Sequence, residues 1–257
     1  MKIVVLTKEV PDTYGERRLD LATGLTDRSA SDPVADEIGE RALEAALAYA
    51  DGAPDTEIVL LSMGPATASA TLRKLLAIGG SSAVHVLDDR LLGADLGTTA
   101  RVLAAAIRKV GFDVVITGNL STDGAGGVMA AMVAEHLGVP HLTNLAAVAL
   151  SGSAISGTRA VERGHLAVSA DLPAVISVTE ALPDPRFPNF KGIVAAKKKP
   201  LETWSFADLG LDEPVEAAES IVLAVAERPA RAAGIKIVDS GDAGVQLADY
   251  LTVNGLA

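Results

Sequence analysis

Along the first half of the chain, short β-branched runs alternate with longer segments whose apolar residues recur every three or four positions. Ile3 to Thr7, Glu57 to Ser62, Ala83 to Leu87 and Asp113 to Thr117 are bounded by polar residues or glycine, and predict strands. Between them the spacing predicts helices over Asp36 to Ala50, Ala66 to Ile78, Leu96 to Val110 and Gly127 to Leu137. In the first helix Ile38, Ala42, Ala45, Ala46 and Tyr49 share one face, with Glu37, Glu40, Arg41 and Glu44 elsewhere. That is the pattern of a helix laid on a sheet. Strands separated by helices imply right-handed βαβ units and a wound, mainly parallel sheet.

The pattern changes near residue 145. Ala146–Leu150, Ala154–Arg159, Leu166–Ser169 and Ala174–Thr179 read as short strands with no helices between them, and are expected as an antiparallel extension. The following stretch, Pro183 to Gly192, can be neither helix nor central strand because proline recurs in it. A helix-like segment, Lys191–Lys199, and an acidic spacer, Asp208 to Glu219, come next. The last forty residues read as a strand, an Arg/Ala-rich loop and an amphipathic helix over Asp242 to Leu251. So small a tail cannot build its own core. The expected division is therefore an α/β domain over 1–182, a loop and helix over 183–200, and a C-terminal arm over 201–257.

Composition narrows the function classes. Aromatics make up 3% of the 257 residues, so Ala, Val, Leu and Ile must fill the core, as suits a parallel sheet under Ala-rich helices. A net charge of −11 argues against nucleic-acid binding through a basic surface. With no cysteine, disulfides, thiolate nucleophiles and Cys-ligated metals are excluded. The histidines, His85, His136, His141 and His165, lack metal-ligand spacing. The chain opens on a strand without a secretory leader pattern, and no apolar run approaches the ~18 residues of a spanning helix. The expectation is a cytoplasmic protein without membrane insertion.

The segment with most chemistry in it is Asp113 to Val128, a strand running into a polar, Gly-rich loop that opens a helix. Ligands of open α/β sheets bind at the carboxyl ends of strands, and a helix N-terminus suits a phosphate. Gly124, Gly126 and Gly127 allow close backbone approach. The loop reads either as a phosphate cradle or as an ordinary turn with Asp123 capping the helix; no Walker lysine or dinucleotide fingerprint decides between them. Thr7-Lys8-Glu9-Val10-Pro11 and Ser62-Met63-Gly64-Pro65 leave from the same sheet edge and could enclose an adenosine. Met63 would then line the base pocket, or else belong to the core. Asp88-Asp89 reads as two solvated charges, and no nucleophile–base pair or metal motif appears, so no enzyme is expected. Lys197-Lys198-Lys199 is a solvated basic face, or a docking feature beside the Pro-rich loop.

These blocks, in order, resemble the beta subunits of electron-transfer flavoproteins. The resemblance rests on Lys8 with Pro11-Asp12, Asp32-Pro33, Glu40-Arg41-Ala42-Leu43-Glu44, Ser62-Met63-Gly64-Pro65 and Gly118-Asn119 through Thr122-Asp123-Gly124. It continues through Leu172-Pro173-Ala174-Val175-Ile176, Pro185-Arg186-Phe187, Ile193 through Lys199, and Arg231 to Lys236. It implies an adenine-nucleotide-binding sheet of the HUP-like type and an obligate heterodimer with an alpha subunit that carries the redox FAD. AMP, or alternatively a second FAD as in bifurcating carriers, would sit in this chain. By position the phosphate falls on Asp123, Gly127, Val128 and Met129, and the adenosine on Leu6, Asp32 and Met63. Thr7, Lys8, Ser62, Gly64, Asn119, Thr122, Gly124 and Gly126 complete the site. Phe190, Lys191, Gly192 and Ile193 would dock acyl-CoA or other dehydrogenases, with Phe190 or Ile193 as anchor. Electrons would pass on to a quinone-linked acceptor, and the C-terminal arm would embrace alpha. Asp32 stands where the family often has Asn, and Gly127 and Val128 where some members carry polar side chains. The region Arg159 to Asp171 lacks an acidic pair common in the family. A stand-alone ATP-binding stress or signalling module and a nucleotidyl-transfer enzyme are the competing classes; both lack their phosphate or catalytic motifs here.

Overall fold

In a computed structural model, residues 1–211, 218 and 220–256 are described. The first half runs β1 (Lys2–Leu6), β2 (Glu9–Pro11), β3 (Pro33–Ala35), α1 (Glu37–Ala50), β4 (Glu57–Met63), α2 (Ala68–Ile78), β5 (Ser82–Val86), α3 (Leu96–Val110), β6 (Val114–Gly118) and α4 (Met129–Leu137). Then follow β7 (His141–Leu150), β8 (Ala154–Val161), β9 (Gly164–Asp171), β10 (Ala174–Val178), α5 (Phe190–Ala196), β11 (Leu201–Trp204) and α6 (Ala243–Val253). The main sheet has the order β11-β5-β4-β1-β6-β10-β7-β8-β9, parallel from β11 through β7 and antiparallel over β7-β8-β9.

Side-chain alternation in the strands builds two cores. In β1, Ile3 and Val5 point to the face covered by α1 and α2, where Leu43, Leu47, Leu72 and Leu75 pack; Val4 and Leu6 face α3 and α4, where Leu103, Ile107 and Val133 pack. Each fully buried leucine of this kind contributes about 1.5–3 kcal/mol relative to exposure. Local signals fix the helix ends. Asp95 caps α3 by accepting from the Thr98 amide at 2.8 Å, and Arg108 and Lys109 occupy its last turn, where the dipole favours cations.

Three expectations change. Ala174–Thr179 is not part of the antiparallel extension: β10 lies parallel between β6 and β7. All five of its residues are buried, the unalternating pattern of a central parallel strand. The Leu201–Trp204 segment, assigned to the arm, is instead the edge strand beside β5, and the compact units divide between Ala224 and Val225. The strand expected in the last forty residues does not form among the described residues, since a lone apolar run has no ladder partner for its amides. Most of the acidic spacer over 208–219 lies outside the described residues. The unit Val225–Ala257 contains α6, whose residues are not buried within it.

No described helix is long and apolar enough to cross a membrane. Leu60 is fully buried in β4, whereas Leu166 in β9 is half exposed. Leu60→Ala is expected to lower the unfolding free energy by about 2–5 kcal/mol. Leu166→Ala should cost under about 0.5 kcal/mol. Urea denaturation of the two variants measures the difference.

Candidate functional site

β4 and β5 lie on one side of β1, and β6 and β10 on the other, so the chain reverses its winding direction at β1. A crevice opens there at the carboxyl ends of the strands. It is a cavity of about 1250 Å³ lined by Leu6, Thr7 and Lys8 after β1, Met63 and Gly64 after β4, and Asn119, Gly124, Gly126, Gly127 and Met129 around the loop from β6 to α4. These ten expected residues therefore share one wall system. Ser62 is buried in β4 and Asp32 is exposed next to β3; neither lines the cavity. Thr122, Asp123 and Val128 belong to the loop from β6 to α4 but are also outside the lining.

That loop is held by carboxylates. Asp36 is buried at the start of α1, where its Oδ1 accepts from the Ile38 and Gly39 amides at 3.1 and 3.3 Å. Its Oδ2 accepts from the Thr122 amide at 2.7 Å and the Thr122 hydroxyl at 3.0 Å. Asp123 does not cap α4, which begins six residues later behind Val128. Its nearly buried carboxylate instead meets Lys8 Nζ at 2.7 Å and lies 3.7 Å from Arg28. Burial alone would raise the Asp123 pKa, but Lys8, Ser121 and the Gly124 amide outweigh it and hold the carboxyl below its usual range. Lys8 also donates to Ser121 Oγ, and Arg17 to the Thr122 carbonyl.

Glycine is required twice here. A Cβ on Gly118 would lie 3.0–3.2 Å from Ile38, so α1 could not approach β6 as closely. Gly127 has φ +70°, and two residues before it Ala125 bends through φ +48°, turning the loop back before α4. No side chain caps α4, which leaves its first-turn amides to an outside acceptor.

Several wall residues were not read from the sequence. The excursion between β2 and β3, pinned by a bridge between Leu19 and Thr26, brings Asp20, Leu25 and Arg28 to the cavity; Leu87 to Asp89, Leu91 to Ala94 and Leu96 close another side. Asp88 is not simply solvated: it accepts from Arg90 and from the Phe206 amide, and the Arg90 hydrogen bonds hold it far below the usual carboxylate range. The buried Glu9 carboxylate accepts from Thr67 and Thr71 at 2.5 and 2.6 Å, fixing β2 to α2. His85, buried in β5, contacts the Gly64 carbonyl through Nε2 at 3.1 Å and so sets the loop after β4. Its position inside a strand gave no sign of this. Among the described residues no cluster of His, Asp and Glu suits a metal ion.

A nucleotide fits these walls on an independent ground. Thr7 Oγ1 and Asn119 Oδ1 are buried at the cavity and have no hydrogen-bond partner, so the site retains polar capacity that the protein alone does not use. Asp36→Ala is expected to cost about 1–2 kcal/mol as a lost cap, and to release the Thr122 amide to hydrogen exchange. Asp123→Ala should cost under about 1 kcal/mol, because its partners are more than a third exposed. A folded pKa depressed below the unfolded one stabilises above the unfolded value, about 4, and the effect is lost as pH falls through the folded value. The Asp123→Ala deficit should therefore be present at neutral pH and vanish in acid. Denaturant titrations across pH check both the order and the sign.

The profile of the electron transfer flavoprotein domain matches residues 26–209. A protein of Mycobacterium tuberculosis named electron transfer flavoprotein subunit beta is 44% identical over 258 residues, covering 97% of each chain. The subunit of that name from Megasphaera elsdenii is 32% identical, covering 83% of this chain and 81% of its own. From Acetobacterium woodii, the caffeyl-CoA reductase-Etf complex subunit CarD is 34% identical, with 82% and 80% covered. The chain belongs to the electron transfer flavoprotein family, among its beta subunits, and an electron-carrier subunit of this kind works beside an alpha subunit.

Proposed function

We propose that the chain is the nucleotide-holding and partner-docking half of a heterodimer whose alpha subunit carries the redox FAD, and that it contributes no catalytic group of its own. The observation that carries the nucleotide site is the uncapped start of α4 opening on the cavity, with Lys8 and Arg28 alongside. Backbone amides of Gly127, Val128 and Met129 would take a phosphate. Leu6 and Met63 would face the adenosine, and Thr7 and Asn119 would gain the partners they lack. AMP is the occupant proposed, serving assembly. Asp32, which does not line the cavity, is proposed as an adenosine contact on the resemblance alone.

One observation favours a second reading. At about 1250 Å³ the cavity exceeds the 300–1,000 Å³ that usually encloses a drug-sized ligand, which leaves space for a second FAD, as in a bifurcating carrier. In either case the segment Phe190, Lys191, Gly192 and Ile193 would dock the electron-donating dehydrogenase, and a quinone-linked oxidoreductase would accept the electrons. The reductase-complex name of the Acetobacterium relative supports partners that act on CoA thioesters. Residues 225–257 would pack on alpha, since α6 leaves Val245, Leu247 and Val253 exposed.

Heat release and chromatography of the co-expressed heterodimer should yield one FAD and one AMP. Two FAD and no AMP select the second reading, and a chain that binds neither overturns both. Gly127→Leu, strained at positive φ, should lower the nucleotide count of this subunit and leave the FAD of alpha in place.

A further inference from the structure

β2 and β3 pair as a short antiparallel ladder, with Pro11 opposite Pro33. A hairpin of that kind closes with about 2–5 residues. Here residues 12–32 intervene, leaving and rejoining the ladder where the Asp12 amide donates to the Asp32 carbonyl at 3.0 Å. The excursion is built in its own right. Besides the Leu19–Thr26 bridge, the Asp20 amide donates to the Leu25 carbonyl at 2.8 Å and the Asp27 amide to the Arg18 carbonyl at 2.9 Å. The Asp20 carboxylate accepts from the Ala22 and Thr23 amides at 2.9 and 2.8 Å.

Its position and its fastening are at odds. The excursion supplies Asp20, Thr26, Asp27, Arg28 and Leu25 to the cavity wall, and a Cβ on Gly93, after β5, would lie 3.7 Å from Leu25. At the other side Arg17 donates to the Thr122 carbonyl in the Gly-rich loop. It therefore reaches from one flank of the crevice to the other. Yet no residue from 12 to 32 is buried. Polar contacts alone attach it: Arg17 to Thr122, the Thr13 hydroxyl to Glu37 at 3.2 Å, and Arg28 to Glu9 and Asp123. A cover without a core, held by a few exposed polar bonds, opens at far lower free energy than the sheet beneath it.

The two cations at the cavity are not equivalent. Lys8 is committed, at 2.7 Å from Asp123 and 3.2 Å from Ser121 Oγ. Arg28 stands 3.7 Å from Asp123, beyond hydrogen-bonding distance, and donates one described hydrogen bond, to the Glu9 carbonyl at 3.1 Å. A guanidinium has five N–H donors in a fork that matches a phosphate. Thr7, nine-tenths buried on the same wall, has an unpartnered hydroxyl, which independently points to a polar occupant.

We propose that residues 12–32 are a strap that closes over the nucleotide, and that Arg28 is its binding residue, taking the same adenosine 5′-phosphoryl group as the start of α4. This rests on the nucleotide reading above and adds what retains the ligand: the strap sets how fast it leaves. The test loads the intact heterodimer with radiolabelled AMP and follows its release into excess unlabelled AMP. Arg28→Ala should release the label about tenfold faster or more, the worth of a charged hydrogen bond, and Arg28→Lys should recover part of the loss. Arg17→Ala removes a fastening and no ligand contact, and should speed release by about two- to fivefold. The FAD content of alpha should stay unchanged, which reports that each complex remains assembled. AMP should also slow trypsin cleavage after Arg18 in the unaltered complex and fail to slow it in Arg28→Ala. Unchanged release in both arginine variants overturns the strap and leaves the nucleotide reading standing. Fast release from Arg28→Ala while AMP still protects Arg18 assigns that arginine to the cavity wall alone and likewise overturns the strap. An unaltered complex that retains no label overturns the AMP reading, and the strap with it.

Discussion

A single buried carboxylate joins the parts of this structure on which its site depends. Asp36 accepts four hydrogen bonds, two from the first turn of α1 and two from Thr122, while its own amide donates to the Lys8 carbonyl after β1. The end of β1, the start of α1 and the Gly-rich loop are therefore fixed relative to one another through one residue, by its amide and its carboxylate. Its charge has no cation beside it in these bonds; the amides and dipole of the helix N-terminus stabilise it instead. Asparagine would fill the same volume but present an NH₂ group to donors on one side.

The helix that Asp36 opens also carries Arg41, Glu44 and, just past its end, Asp51. These residues hold the segment leading to α5. One face of α1 is buried on the sheet, its first turn shapes the cavity, and its outer face supports the loop before α5. The cavity and the segment before α5 thus share a rigid support. A molecule meeting either would find geometry set by ion pairs and packing rather than by loop folding on contact.

Much of this was legible because amphipathic spacing reports directly on burial. α1 to α4 and the first parallel strands fall where the three-and-four and β-branched patterns put them, and the loop from β6 to α4 does face the cavity. Pairing was harder to read. β10 was taken for an antiparallel strand because its sequence shows that it is buried but not which strands flank it. β2, β3 and β11 span three or four residues each, too few for periodicity. The roles of Asp36 and Glu9 were hidden for another reason: both depend on donors far along the chain, Thr122 for one and Thr67 with Thr71 for the other. Lys199 looked solvated because its neighbours Lys197 and Lys198 are, yet its ammonium caps the carbonyl end of α2.

The position of β10 also constrains the order in which the molecule can be assembled. The meander β7-β8-β9 reaches the rest of the sheet only through β10, which is made after all three of its strands. While the chain emerges from the ribosome, the wound half up to α4 can collapse on its own helices, but β6 keeps an open edge until residues 174–178 arrive. β7, synthesised earlier, must wait beside that gap without closing it. Parallel pairing across such sequence distances is slow, since loop closure precedes any gain from contact. The middle of the sheet is thus completed only after both of its flanks, with the edge strand β11 alone still to come, and the open β6 edge is the surface a nascent chain has most need to shield from other chains.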